Sequence, residues 1–150
     1  SVNPLKIVIS GRTKHFINAF GEELMVHNAD AAITATCRSL GCEIANYTAA
    51  PIYAGDRTRG RHEWLIEFSK EPVALERFAD ELDSNLRKEN SDYDAKRSGG
   101  IFLDRLTVVK APQGLFDRWL ASTGKLGGQR KVPRLTNDRR LMESMLKLMG

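Results

Sequence analysis

The sequence has no apolar run approaching the ~20 residues that cross a bilayer, so no membrane span is expected within it. The start, Ser1-Val2-Asn3-Pro4, lacks the basic opening and apolar stretch of a secretory signal. Cysteine is scarce: Cys37 and Cys42 are the only two. Without a secretory context they read as reduced thiols of a cytoplasmic protein rather than as a staple. The three histidines, His15, His27 and His62, are scattered with no cysteine or paired carboxylate at ligand spacing, so no metal site is expected. With 12 glycines and five prolines, collagen-like and proline-rich architectures are excluded. There is no Ser-His-Asp arrangement, no cysteine beside an activating base, and no Walker-type glycine loop.

What is present is an ordinary globular composition, 41% hydrophobic and 28% charged over 150 residues. That is room for about one domain with a sizeable core. The net charge of +4 is unevenly placed. Residues 124–150 carry seven basic and two acidic side chains, while 1–123 carry 16 and 17. A local basic end on a neutral body is either a solvated helix face or a site for phosphates. Here the charges flank glycines, which favours the second.

Hydrophobic periodicity orders the elements. Residues 6–10 (KIVIS) and 15–20 (HFINAF) read as extended runs, the second ended by Gly21. Asn28 or Asp30 is expected to cap a helix whose apolar side is Ala29, Ile33, Cys37 and Leu40, with Gly41 as C-cap. Strands follow over 44–50 and 61–68, joined by a hairpin-like connection around Gly55 and Asp56. In RHEWLIEF (61–68), His62, Trp64, Ile66 and Phe68 share one face; Glu63, Leu65 and Glu67 share the other, which is expected to be at least half wet. Pro72 opens a helix with the stripe Leu75, Phe78, Ala79, Leu82 and Leu86, and a polar segment continues over 90–97. A strand over 103–110, a short helix from Pro112, a basic glycine loop over 124–134 and a closing amphipathic helix from Leu141 complete the chain. The expected class is α+β: a small, mostly antiparallel sheet of about four strands in βαββαβ order, with packed helices and two C-terminal helices. The leftover strand at 6–10 suggests the lobe of a larger protein, cut just before an interdomain joint.

Residues 11–24 (GRTKHFINAFGEEL) are the most informative. A Gly-Arg pair, a hinge position, a hydrophobic strand and a glycine opening an acidic loop together resemble the hinge region of the adenylate-forming, luciferase-like superfamily. With RHEWLIEF (61–68), DYDAKR (92–97) and GQRKVPRL (128–135), the chain resembles the C-terminal lobe of the auxin-responsive acyl-acid–amido synthetase family, in its bacterial form. One departure stands out. Plant members carry an aspartate-x-aspartate-lysine-threonine stretch where this chain has Phe20-Gly21-Glu22-Glu23-Leu24, so that lysine's phosphate contact has no counterpart.

The resemblance implies residues 1–12 as the end of an N-terminal adenylation lobe with its hinge, and 13–150 as a mobile C-terminal lobe. It implies ATP-dependent activation of a carboxylic acid and its conjugation to an amino acid. ATP and Mg²⁺ would be held mostly by the N-terminal lobe, so the fragment alone should be inactive. Lys131 is the catalytic candidate: a lysine on a glycine-rich segment can neutralise charge developing on the α-phosphate and pyrophosphate. Outside such a motif a loop lysine is simply solvated. Arg12 is implied at the ribose, where its planar fork suits a bidentate contact. Lys125 and Arg134 are further nucleotide-binding candidates, Arg134 also being a natural partner for an acidic surface residue. Thr13 and Lys14 fall at the hinge, and Gly21 and Glu22 on the loop that enters the active site for the second step. Read more plainly, Gly21-Glu22 is a loop glycine before an acidic helix start.

The alternative reading is a free-standing, ferredoxin-like or RNA-recognition-like module with a basic tail, since βαββαβ is also that order. It requires an open sheet face bearing stacking aromatics. Here the face opposite Trp64 carries Glu63 and Glu67, which repel phosphate, so neither nucleic acid nor membrane is the expected partner.

Overall fold

The computed structural model describes residues 16–53, 59–98, 103–127 and 132–149, with the backbone alone over 123–127. The expected strand at 6–10, the candidates Arg12, Thr13, Lys14 and Lys131, and the connection at 54–58 lie outside the described residues.

The first ribbon is shorter than the HFINAF pattern suggests. Strand β1, Phe16–Ile17, pairs antiparallel with β2, Leu24–Met25. The chain turns at once: Gly21 N–H donates to the Asn18 carbonyl at 3.1 Å, with Gly21 at φ +91°. Such a φ suits glycine, because a Cβ there collides with the local backbone. This ribbon is separate from the main sheet.

Helix α1 spans Val26–Leu40 and starts before its expected cap. Asn28 lies inside the first turn, where its Oδ1 accepts the Met25 N–H at 3.0 Å. It therefore supports the helix start from within, and Asp30 takes no part in the cap. Gly41 closes the helix as expected, left-handed at φ +70°, with Gly41 and Cys42 N–H both on the Cys37 carbonyl.

The main sheet is built on a long hairpin, β3 (Glu43–Tyr53) against β4 (Gly60–Lys70), antiparallel with Ala49 opposite Trp64. Two helices then cross over: α2 (Leu75–Glu89), which begins three residues after Pro72, and α3 (Ser91–Ser98). The polar segment becomes a helix of its own because Asn90 Oδ1 accepts the Tyr93 N–H at 2.7 Å, an N-cap that stops one helix and starts the next. The chain returns as β5, Thr107–Lys110, parallel to β4. This strand is half the expected length; ahead of it Leu103 bridges Gly60, with the Asp104 N–H on the Gly60 carbonyl at 2.8 Å. The order is β3-β4-β5. A further single parallel bridge, Ala49 to Leu135, extends it beyond β3.

The final helices are α4, Leu115–Gly127, and α5, Arg139–Met149. Gly124, Lys125 and Gly127 thus belong to α4, so the segment expected as a glycine loop over 124–134 is helical over its first four residues. Helices α4 and α5 also correct the expected wet face. Leu65 is fully buried in a second core with Ala50, Phe116, Trp119, Met142 and Met145. Glu63 pairs with Arg139 at 2.8 Å, and Glu67 Oε2 accepts the Gly114 N–H at 3.0 Å. On the other face His62, Trp64, Ile66 and Phe68 are buried as expected, against α1, α2 and the ribbon. A sheet covered on both faces has no open platform, which removes the RNA-recognition reading.

The two thiols meet at the end of α1. Burial and the contact with Cys42 push the Cys37 thiol up to about 12. Thiol alkylation proceeds through the thiolate. Reaction of Cys37 is therefore expected to be slow at pH 7 and to keep rising by about tenfold per pH unit beyond pH 10. A rate profile with iodoacetamide and peptide mapping checks this; a plateau near pH 9 contradicts it.

Candidate functional site

The basic end is less free than its composition suggests. Arg139 faces Glu63 and Glu143, and Arg140 pairs with Asp138 at 2.6 Å. These two belong to a paired helix start, not to a phosphate site. Asp138 accepts the Arg140 backbone N–H at 2.7 Å, and the guanidinium beside it holds its carboxyl below the ordinary range.

Arg134 is different. Its guanidinium is about half exposed and sits 3.7 Å from Asp30 Oδ2 and 6.0 Å from the centre of the Tyr47 ring. The Tyr47 hydroxyl donates to Asp30 Oδ1 at 2.6 Å, and burial with that acceptor raises its pKa. Arg134 thus pairs with an acidic surface residue, the alternative noted for it, yet keeps an accessible guanidinium face.

The segment holding Arg134 is stitched to β3. Thr48, fully buried, donates its hydroxyl to the Pro133 carbonyl at 2.7 Å. Ala49 N–H donates to the Arg134 carbonyl at 2.9 Å, and Thr136 N–H to the Ala49 carbonyl at 3.1 Å. Asn137 and Asn18 exchange hydrogen bonds at 2.9 and 3.0 Å, joining this segment to the 18–21 turn. The chain just after Lys131 therefore moves with the sheet. Of the candidates, the described residues bring Arg134 and the Gly21 turn onto elements linked by one amide pair; Lys125 lies apart in sequence on α4.

Glu22 is neither exposed nor a helix start. Its carboxylate is fully buried: Oε1 accepts the Phe20 N–H at 2.8 Å, and Oε2 lies 2.5 Å from His62 Nε2. Sequence reasoning missed this pair, although one signal was visible. A histidine on the face of Trp64, Ile66 and Phe68 must be buried, and buried polar groups need partners. A second buried cluster lies on α2 and α3. Tyr93 donates to Asp83 Oδ1 at 2.5 Å, and Arg97 grips both Asp83 oxygens at 2.7–3.0 Å. Here too the signal was present: Asp83 interrupts the apolar stripe of α2 at helical spacing.

No cluster of three or more His, Cys, Asp or Glu side chains among the described residues could hold a metal. The described residues likewise contain no helix long and apolar enough to cross a membrane.

The fold agrees with comparison to known proteins. The family model of the GH3 family C-terminal domain matches residues 27–140, and the chain belongs to that family. Two solved structures share its fold. GH3.15 acyl acid amido synthetase superposes with a TM-score of 0.72 at 13% identity, covering 89% of this chain and 25% of its own. AtGH3.15 acyl acid amido synthetase in complex with 2,4-DB gives 0.72 at 12% identity, with the same coverage of 89% and 25%. The chain thus spans about a quarter of the length of the solved structures it matches. No curated protein matches its sequence.

Proposed function

We propose that this chain is the mobile C-terminal lobe of an ATP-dependent ligase, which adenylates a carboxylic acid and transfers the acyl group to an amino acid to form an amide. The observation that carries the reading is the family match over 27–140, on a fold shared with acyl acid amido synthetases. Residues 1–12 are read as the end of the N-terminal lobe, Thr13 and Lys14 as the hinge, and Gly21-Glu22 as the turn presented in the second half-reaction.

Adenylation joins the substrate carboxylate oxygen to the α-phosphorus of ATP and releases pyrophosphate. In the second step the amine nitrogen attacks the acyl carbon and AMP leaves. Both steps accumulate negative charge on phosphate oxygens, which positive side chains stabilise. Lys131 supplies that charge in adenylation, and Arg12 holds the ribose. Arg134 keeps a guanidinium face toward solvent and can meet a phosphate, while Lys125 is a further candidate. Magnesium accompanies ATP and neutralises phosphate charge. It would be held by phosphate oxygens and by the N-terminal lobe. Rotation of the lobe between steps exchanges the side chains facing the substrate.

The full-length chain is expected to catalyse ATP–pyrophosphate exchange with some carboxylic acid, and this 150-residue piece to catalyse none. A panel of acids with radiolabelled pyrophosphate tests both. Exchange by the piece alone, or none by the full-length chain with any acid, overturns the reading.

A further inference from the structure

The 18–21 turn is held by more than its own hydrogen bond. Asn137 clasps Asn18 from the outside. Helix α3 limits it from the side, where a Cβ on Gly21 would lie 2.9 Å from Lys96 Cε. From inside, the Glu22 carboxylate closes the turn on Phe20 N–H and is itself fixed by His62. Both side chains are fully buried, 40 residues apart in sequence.

His62 is enclosed by aromatic rings. Phe20 stacks on it with centroids 6.4 Å apart, and Tyr93 lies at 5.5 Å with its hydroxyl committed to Asp83. Among the described residues, His62 Nδ1 has no hydrogen-bond partner. A bare Nδ1 lone pair is tolerable in a buried site, whereas a bare Nδ1–H would be an unsatisfied donor. The ring therefore carries its proton on Nε2 and donates it to Glu22. Arranged this way, the imidazole serves one purpose visible in the structure, which is to aim the carboxylate that shapes the turn.

We propose that His62 is a positioning residue: acting through Glu22, it sets the backbone of the 18–21 turn and so controls the amide-forming half-reaction. The last part rests on the proposed function, in which that turn serves the second step. His62 touches no reacting atom. A misplacement of about 1 Å in a positioned group can cost ~10²-fold in rate.

The test uses the full-length protein and two readouts. Hydrogen–deuterium exchange over residues 18–24 needs no substrate. His62→Phe fills the site but donates nothing; exchange is expected to rise about tenfold, as for loss of one buried hydrogen bond. His62→Gln restores an N–H near the Nε2 position and is expected to restore protection. The second readout is kinetic. Amide formation from a pre-made acyl-adenylate is expected to fall by about 10²-fold in His62→Phe and to recover largely in His62→Gln, with ATP–pyrophosphate exchange nearly unchanged. If His62→Phe does not fold, His62→Leu, smaller and equally unable to donate, carries the test with the same expected results. Unchanged deuterium exchange in the folded variant overturns the coupling. Equal loss in both half-reactions overturns the positioning role in favour of a general structural one. A wild type that activates no acid overturns the ligase reading alone, and deuterium exchange then decides for or against the His62–turn coupling.

Discussion

Lys131→Ala in the full-length protein is expected to slow acyl-adenylate formation by roughly 10²–10³-fold, the effect of removing one preorganised electrostatic group. Amide formation from a pre-made adenylate is expected to change much less, because the proposed lobe rotation would carry the lysine away between steps. The described chain resumes at Val132 and is held to the sheet. Two residues after Lys131, the Pro133 carbonyl accepts the buried Thr48 hydroxyl, and Arg134 and Thr136 hydrogen-bond to Ala49. These bonds tie the following chain to the sheet edge. Global stability is expected to move by about 0.5 kcal/mol or less, as for a substitution away from core features. The measurement is both half-reactions and a thermal melt on one variant. Equal loss in both steps rejects the assignment to adenylation, and no loss in either returns Lys131 to a solvated loop charge and makes Lys125 the next candidate.

Arg97→Met is expected to destabilise the fold strongly. Asp83 is buried, and three of its contacts come from the Arg97 guanidinium, with the fourth from the Tyr93 hydroxyl. The Asp83 hydrogen bonds, outweighing desolvation, raise the Arg97 pKa, so the guanidinium is charged throughout the accessible pH range. Methionine keeps much of the side-chain volume but leaves a buried carboxylate without its cation. Breaking such a pair from one side costs about 3–5 kcal/mol. For a domain of this size that lowers the melting temperature by roughly 10 °C. The double variant Asp83→Leu/Arg97→Met, which removes both charges, is expected to recover much of the loss. If the single variant melts within 2 °C of wild type, the pair contributes little.

Much of the architecture could be read directly from the sequence. Alternation in RHEWLIEF placed His62, Trp64, Ile66 and Phe68 on one buried face, and Gly41 marked the end of α1. Both signals are local: one follows from the two-residue period of a strand, the other from the backbone freedom of glycine. The polar faces were harder. The Glu63, Leu65, Glu67 face looked wet because charges normally seek water, yet it lies beneath α4 and α5. Glu63 and Glu67 can be buried there because Arg139 and the Gly114 N–H reach them, respectively, from 76 and 47 residues away in sequence.

The same division runs through the candidate site. Residue types and spacing alone determined the α+β class, the basic C-terminal end and the four segments that carry the family resemblance. They do so because periodicity, glycine placement and motif order are properties of neighbouring residues. Only the tertiary structure decided that Arg139 is neutralised by Glu63, that Arg134 keeps an open face, and that Glu22 is a buried partner of His62. A charge's partner is chosen by which elements pack together. Residues as far apart as Asn18 and Asn137 meet only once the elements between them have buried their apolar faces.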